Sequence, residues 1–209
     1  MDEADFVERV QESNATELKR LGSEKALVAT TAASLDRETV LEQATAAEPR
    51  AVATFEQWAS DEANDTAGEA FAVAAEQEQD HYDRIYDLAE IEVTDPPADA
   101  LHTHLRELDD TVERVGAGLV ARPLVASRTL LQVINFFVNE ADTTAAELFR
   151  EIRAETDEQV DTGASVLAEI CDADDWERAE RAAEEAIEVA YTEYAETLDE
   201  MGLDPKPVC

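Results

Sequence analysis

Residues 76–85 read EQEQDHYDRI, and within them Glu78 and His81 stand three apart, an E-x-x-H. On a helix, positions i and i+3 point to the same side, so a carboxylate oxygen and an imidazole nitrogen can converge on one cation. The pair can equally sit as a hydrogen-bonded seam without metal. Glu48 is the third residue of this kind: like Glu78 and His81 it falls on an apolar stripe, where an unpaired carboxylate is costly to bury. Only 16 Lys and Arg stand against 51 Asp and Glu, so a metal ion is a natural partner for buried acids. Glu24, beside Leu21, Leu27 and Val28, and Glu140, after the apolar run VINFFVN, are further candidate ligands, with surface positions as their alternative. Glu147 and Glu151 could serve in their place.

The remaining reactive side chains have plainer readings. His104 lies on an apolar stripe as a core or haem-ligating histidine, whereas His102 is expected in solvent. Tyr82 adjoins His81 and becomes a redox neighbour if a metal sits there. Cys171 reads as a small buried residue at a helix end. The run CDADDWE lacks the turn glycine and ligand spacing of a calcium loop. No phosphate-binding loop, dinucleotide fingerprint, nucleophile elbow or C-x-x-C occurs, and six glycines leave little material for such loops.

The elements that must position these residues are helices, because apolar residues recur at three and four with no sustained alternation. The first is expected from Ala4 to Ala33, bending near Asn14 or Gly22. A second spans Arg37 to Glu62, with the stripe Leu41, Ala44, Glu48, Ala51, Val52, Phe55, Trp58. A short polar break leads to a third, Thr66 to Ile91, whose stripe includes Phe71, Ala74, Glu78, His81 and Ile85. So short a connection makes the two antiparallel neighbours. VTDPPAD then interrupts the chain as a crossover, since two prolines cannot continue a helix. A fourth helix runs from Ala98 to Ala121, stopped or kinked at Pro123. A fifth covers Leu124 to Asn139, a sixth Thr143 to Cys171 and a seventh Asp175 to Met201. Residues 1–203 are expected as a single helical domain and 204–209 as a tail.

The formal net charge is −35. Such a surface repels phosphate backbones and anionic headgroups, which argues against direct nucleic-acid or membrane binding. Carboxylates spread over the whole length, and a cation set that is nearly all Arg, point to a salt-rich cytoplasm where screening suppresses self-repulsion. Two cysteines, Cys171 and Cys209, make no disulfide framework. The N-terminus lacks the pattern of a signal peptide, Cys209 is not placed for prenylation, and no apolar run approaches the length of a membrane span.

With Glu48 on one helix and the E-x-x-H of Glu78 and His81 on the next, residues 15–170 resemble the ferritin-like superfamily, in particular the rubrerythrin-like proteins of haloarchaea. The resemblance implies an antiparallel helical bundle with additional C-terminal helices, iron or manganese as cofactor, and peroxide or oxygen as a small oxidant. It assigns Glu48, Glu78 and His81 as metal ligands, with Glu24 or Glu140 completing the set. In that superfamily each half of the bundle supplies a Glu and an E-x-x-H. Here no histidine follows His104, so the second half lacks its motif and one metal is favoured over two. Two other readings stand beside this one: a non-catalytic helical protein whose apolar seam serves a homodimer or protein partner, and a haem-oxygenase-like bundle with His104 or His81 as proximal ligand.

Overall fold

The computed structural model describes residues 1–206 of the chain; Cys209 lies outside the described residues. Every regular element among them is helical: α1 (Glu3–Ser13), α2 (Ala15–Leu21), α3 (Glu24–Thr30), α4 (Arg37–Asp61), α5 (Asp65–Ala89), α6 (Ala100–Arg106), α7 (Thr111–Arg114), α8 (Arg122–Asn139), α9 (Thr143–Ile170) and α10 (Asp175–Glu200), with a π-helical stretch, Val115–Ala121, joining α7 to α8. The chain is an all-α bundle.

Local chemistry sets the boundaries. Asp36, Asn64, Asp99, Asp110 and Asp142 each accept a backbone N–H from the first turn of the helix they precede, satisfying a donor that has no intrahelical partner. The expected first helix is three pieces, broken at Asn14 and at Gly22–Ser23. α4 passes through Pro49, which cannot donate to the carbonyl of Thr45 one turn back. α5 ends in a left-handed Glu90 (φ 54°), and residues 90–99, with the two prolines, cross to α6.

The fourth helix departs from expectation in two ways. It breaks at 107–110, where Asp110 caps a new start. It then fails to stop at Pro123: Thr111–Asn139 is one continuous 29-residue helix. Pro123 would clash with the carbonyl four residues back, that of Leu119. The π register, bonding five residues apart, moves this carbonyl out of line, and it lies against Gly163 of α9, where a Cβ would meet it at 2.7 Å. Gly118 admits the Trp58 ring in the same way, its Cβ position being 2.4 Å from a ring carbon. By length and composition this helix could cross a membrane, contrary to the reading that split it at Pro123, but 72% of its apolar window is buried inside the bundle.

Two antiparallel hairpins, α4/α5 and α8/α9, pack through α5 on α9 and α4 on α8. α10 covers the other side, against α6, α7, the π stretch and α1–α3. The main core is built on Phe55, Trp58 and Phe71, whose ring centroids lie 5.1–6.4 Å apart, each worth about 1.5–3 kcal/mol of burial. A second apolar cluster around Leu41, Ile85, Phe137 and Phe149 fills the far end of the hairpins. The acidic site lies on the inner faces of α4 and α5, walled by α8 and α9.

Candidate metal centre

Glu48 comes from α4 and Glu78 and His81 from α5, all buried, Glu78 and His81 with 1% and 0% exposure. Their stripes face each other because the 62–64 connection folds α5 back along α4. His81 Nδ1 lies 3.7 Å from Glu78 Oε2 and 3.9 Å from Glu48 Oε2. One donor atom from each residue falls within 4.8 Å of the others. Two donors bonded to one ion at about 2.1 Å can lie at most about 4.2 Å apart, so the two histidine–carboxylate separations are those of atoms able to share a cation. Among the described residues this is the one place where three such side chains converge.

The imidazole is fixed from its other side. Nε2 is 2.8 Å from Glu155 Oε2 of α9, and Glu155 also accepts from Arg84 at 2.8 Å. An ionised carboxylate there accepts a hydrogen bond from Nε2–H, and in the neutral ring this leaves Nδ1 as the bare lone pair. That nitrogen is buried and has no hydrogen-bond partner, and it faces two acidic oxygens. Metal-ligating histidines characteristically give their second ring N–H to a carboxylate in this way.

Arg122, the first residue after the π stretch, completes the site. Its two terminal nitrogens reach Glu78 Oε1 and Oε2 at 2.9 and 2.8 Å, and its guanidinium lies 5.4 Å from the Phe55 ring centroid. Gln159 donates to Glu78 Oε1 at 2.5 Å and accepts from Arg122 at 3.1 Å. Burial pushes Glu78 toward the neutral form, but Arg122, with His81 and Glu48 as further partners, overrides it and holds the carboxyl well below its usual range. Glu48 is driven the other way: burial, the Glu78 charge and the hydrogen bond it makes to Glu78 raise it well above the carboxyl range, and Arg122 only partly opposes them. Two acids against one guanidinium leave one surplus negative charge in a buried site. Either a proton on Glu48 or a cation at His81 Nδ1 neutralises it.

Glu24 and Glu140 do not join this group. Glu24 opens the seven-residue α3, which turns it outward to a surface groove with Leu35 and Val138; Glu140 caps the C-terminus of α8 in solvent. Glu147 pairs with Arg150 on the surface, and Glu151 meets Arg84 from outside. Glu155, one turn beyond Glu151, is the acid of α9 that reaches His81. Tyr82 stacks on Tyr86, with centroids 6.2 Å apart. Cys171 is half-buried, not fully buried, and its thiol is pushed up to about 11 by burial and by Asp175, so it is a poor nucleophile.

His102, expected in solvent, is the more buried of the two, and His104, expected on an apolar stripe, keeps a buried Nε2 on a partly exposed ring. The Nδ1 of His102 lies 2.8 Å from Asp99 Oδ1. Asp99 is held down at about 2: burial opposes ionisation, and the hydrogen bonds and charge of His102 outweigh it.

A cavity of about 200 Å³ opens beside the cluster, between α3, α4, α6 and α8, with Glu48, Glu78 and Arg122 in its wall and His102 near Asp99. It is smaller than the ~300 Å³ at the lower end of cofactor pockets, and His81, one of the two histidines considered for haem, already has Nε2 on Glu155. The chain matches no protein-family model, no curated protein and no solved structure.

Proposed function

We propose that the chain is a ferritin-like bundle that holds a single iron or manganese ion between Glu48, Glu78 and His81 and uses it with oxygen or peroxide. The observation that carries this reading is the buried, unpartnered Nδ1 of His81, aimed at two carboxylates while Nε2 is committed to Glu155. A carboxylate and imidazole donor set suits these ions.

The roles of the residues follow from their contacts. Glu48 and Glu78 supply anionic oxygens and His81 a neutral nitrogen. Glu155, steadied by Arg84, fixes the tautomer and orientation of the ring. Arg122 and Gln159 hold Glu78 in place, and Arg122 supplies a permanent positive charge where the second half of a symmetric di-metal set would have brought more ligands. With that charge built in, the site has use for one divalent ion. Such an ion, when bound, supplies one-electron redox chemistry toward a small oxidant. The cavity along Glu48 and Glu78 is a route for the oxidant.

A second reading rests on the bidentate Arg122–Glu78 pair: a protonated Glu48 removes the surplus charge without metal, leaving a buried polar network in a non-catalytic bundle. Elemental analysis separates the two. Protein loaded anaerobically with Fe(II) or Mn(II), then desalted in molar salt, should retain about one ion per chain, and His81→Ala should retain none while keeping its helical circular dichroism. Equal metal content in both proteins would remove the metal reading.

A further inference from the structure

Carboxylates stud every long helix but one. α8 carries no Asp or Glu in its 18 residues, whereas every other helix longer than seven residues has several. Its outward stripe is Arg128, Leu131, Asn135 and Val138, spaced three, four and three, the spacing of a seam between two helices. Arg128 and Leu131 are partly exposed, Asn135 and Val138 exposed, Val138 by 50%. Leu35, also 50% exposed, lines the groove beside Val138 and widens the apolar strip. Acids return only at the margins, with Glu8 and Glu12 in the groove toward α1 and α2, and Glu24 in the groove toward α3.

The charges along this strip say what fits it. With a net charge of −35, two copies of the chain repel across their carboxylate-covered faces. Along α8 they approach without bringing carboxylates together, and the stripe is complementary to itself. Arg128 stands near its start, its stem on Gly22, where a Cβ would meet Arg128 Cδ at 3.2 Å. Glu140, exposed, stands just past its end. Turned end for end about Asn135, the stripe sets Leu131 against Val138 of a second copy and Arg128 against Glu140 of the second copy. Asn135 then lies beside its own counterpart, and a polar Asn inside an apolar seam fixes register.

We propose that α8 is the interface of a homodimer, two copies packing antiparallel about a twofold axis beside Asn135. This does not depend on what the cluster of Glu48, Glu78 and His81 holds. One helix with Leu35 at its edge makes a small interface, about 1,200 Å² in all, and the expected Kd is about micromolar.

The test is sedimentation equilibrium of the full chain across that concentration range. The mass should rise from the 23.0 kDa of one chain to twice that value. Raising KCl from about 0.2 to about 2 M should tighten the dimer, because screening removes the residual repulsion and leaves the apolar contact. Asn135→Glu sets two like charges at the axis and should raise Kd at least about tenfold in dilute salt, with helical circular dichroism unchanged because the position is exposed. Val73→Glu, at a site on α5 that is 55% exposed, adds the same charge elsewhere and should leave Kd unchanged. Arg128→Glu should weaken the dimer about three- to tenfold in dilute salt, and adding Glu140→Arg to the same chain should restore it. A monomer at every concentration in both salts, whether the strip meets solvent or a different protein, overturns the proposal. So does a dimer that Asn135→Glu leaves intact, one that Val73→Glu dissociates equally, or a charge swap that fails to restore it.

Discussion

Replacing Arg122 by Met removes a charge and retains most of the side chain's volume. Glu78 receives three short hydrogen bonds, two from Arg122 and one from Gln159, and the substitution leaves only the last. Both partners are nearly fully buried, with side-chain exposures of 8% and 1%, so solvent does not screen the loss. Breaking such a pair typically costs about 3–5 kcal/mol, which at this chain length lowers Tm by about 6–20 °C. The loss should depend on pH. In the wild type the folded-state pKa of Glu78 is lowered, so its contribution is present above the unfolded value, about 4.3, and is lost as pH falls through the folded value. Without Arg122 the buried acid takes up a proton instead, and the deficit of the variant should be largest at pH 8 and smallest near pH 4.5. An Fe(II) or Mn(II) ion bound at His81 replaces part of the missing charge, and at a hundredfold excess over Kd restores about 2.7 kcal/mol. Thermal unfolding of both proteins across pH 4.5–8, with and without Mn(II), measures all three effects. A deficit below about 1 kcal/mol at pH 8, or one that does not change with pH, would refute the reasoning.

Other perturbations bear on the same site. Glu155→Gln keeps the shape but frees the imidazole tautomer, and should weaken Mn(II) binding about 10- to 100-fold in chelator competition, with little change in Tm. Glu48→Gln tests the opposite pKa direction. A raised folded-state pKa means that the native protein keeps a proton the unfolded chain gives up, so stability is lost as pH rises from about 4.3 toward the folded value; the glutamine variant should match the wild type near pH 4.5 and exceed it at pH 8 in metal-free buffer, as read by denaturant midpoints. Salt acts on the whole molecule. With a net charge of −35, raising KCl from 0.1 to 2 M shortens the screening length from about 10 Å to below about 3 Å and should raise the midpoint of thermal unfolding steadily; a flat response would show that self-repulsion is not limiting.

Much of the bundle was legible because long helices repeat their periodicity many times. α4, α5, α9 and α10 lie within two residues of the expected bounds, and two acids and a histidine on otherwise apolar stripes marked the cluster. Short elements gave less. α6 has only two turns, in which Leu101, Leu105 and either His102 or His104 fit one buried face equally well, and Asp99 capping decides for His102. The Asp110–Thr111 start was written in the chain as a capping signal but lay inside a stripe that looked continuous. Pro123 reads as a stop or a kink because its remedy is not local: the π register and the space beside Gly163 come from other parts of the fold. Arg122 was passed over for the same reason. Beside a proline it looked like part of a helix end, and only the register of the π stretch turns it inward to Glu78. Glu155 and Gln159 carry no spacing signal of their own, since acids are common along α9 and their selection depends on which turn of α9 crosses His81.

The most direct test of the central claim is anomalous diffraction from crystals loaded with Mn(II), collected at the manganese edge. A single strong peak within bonding distance of His81 Nδ1 and of carboxylate oxygens of Glu48 and Glu78 is the expected result. No peak at that position, or peaks confined to carboxylates on the acidic surface, would contradict it.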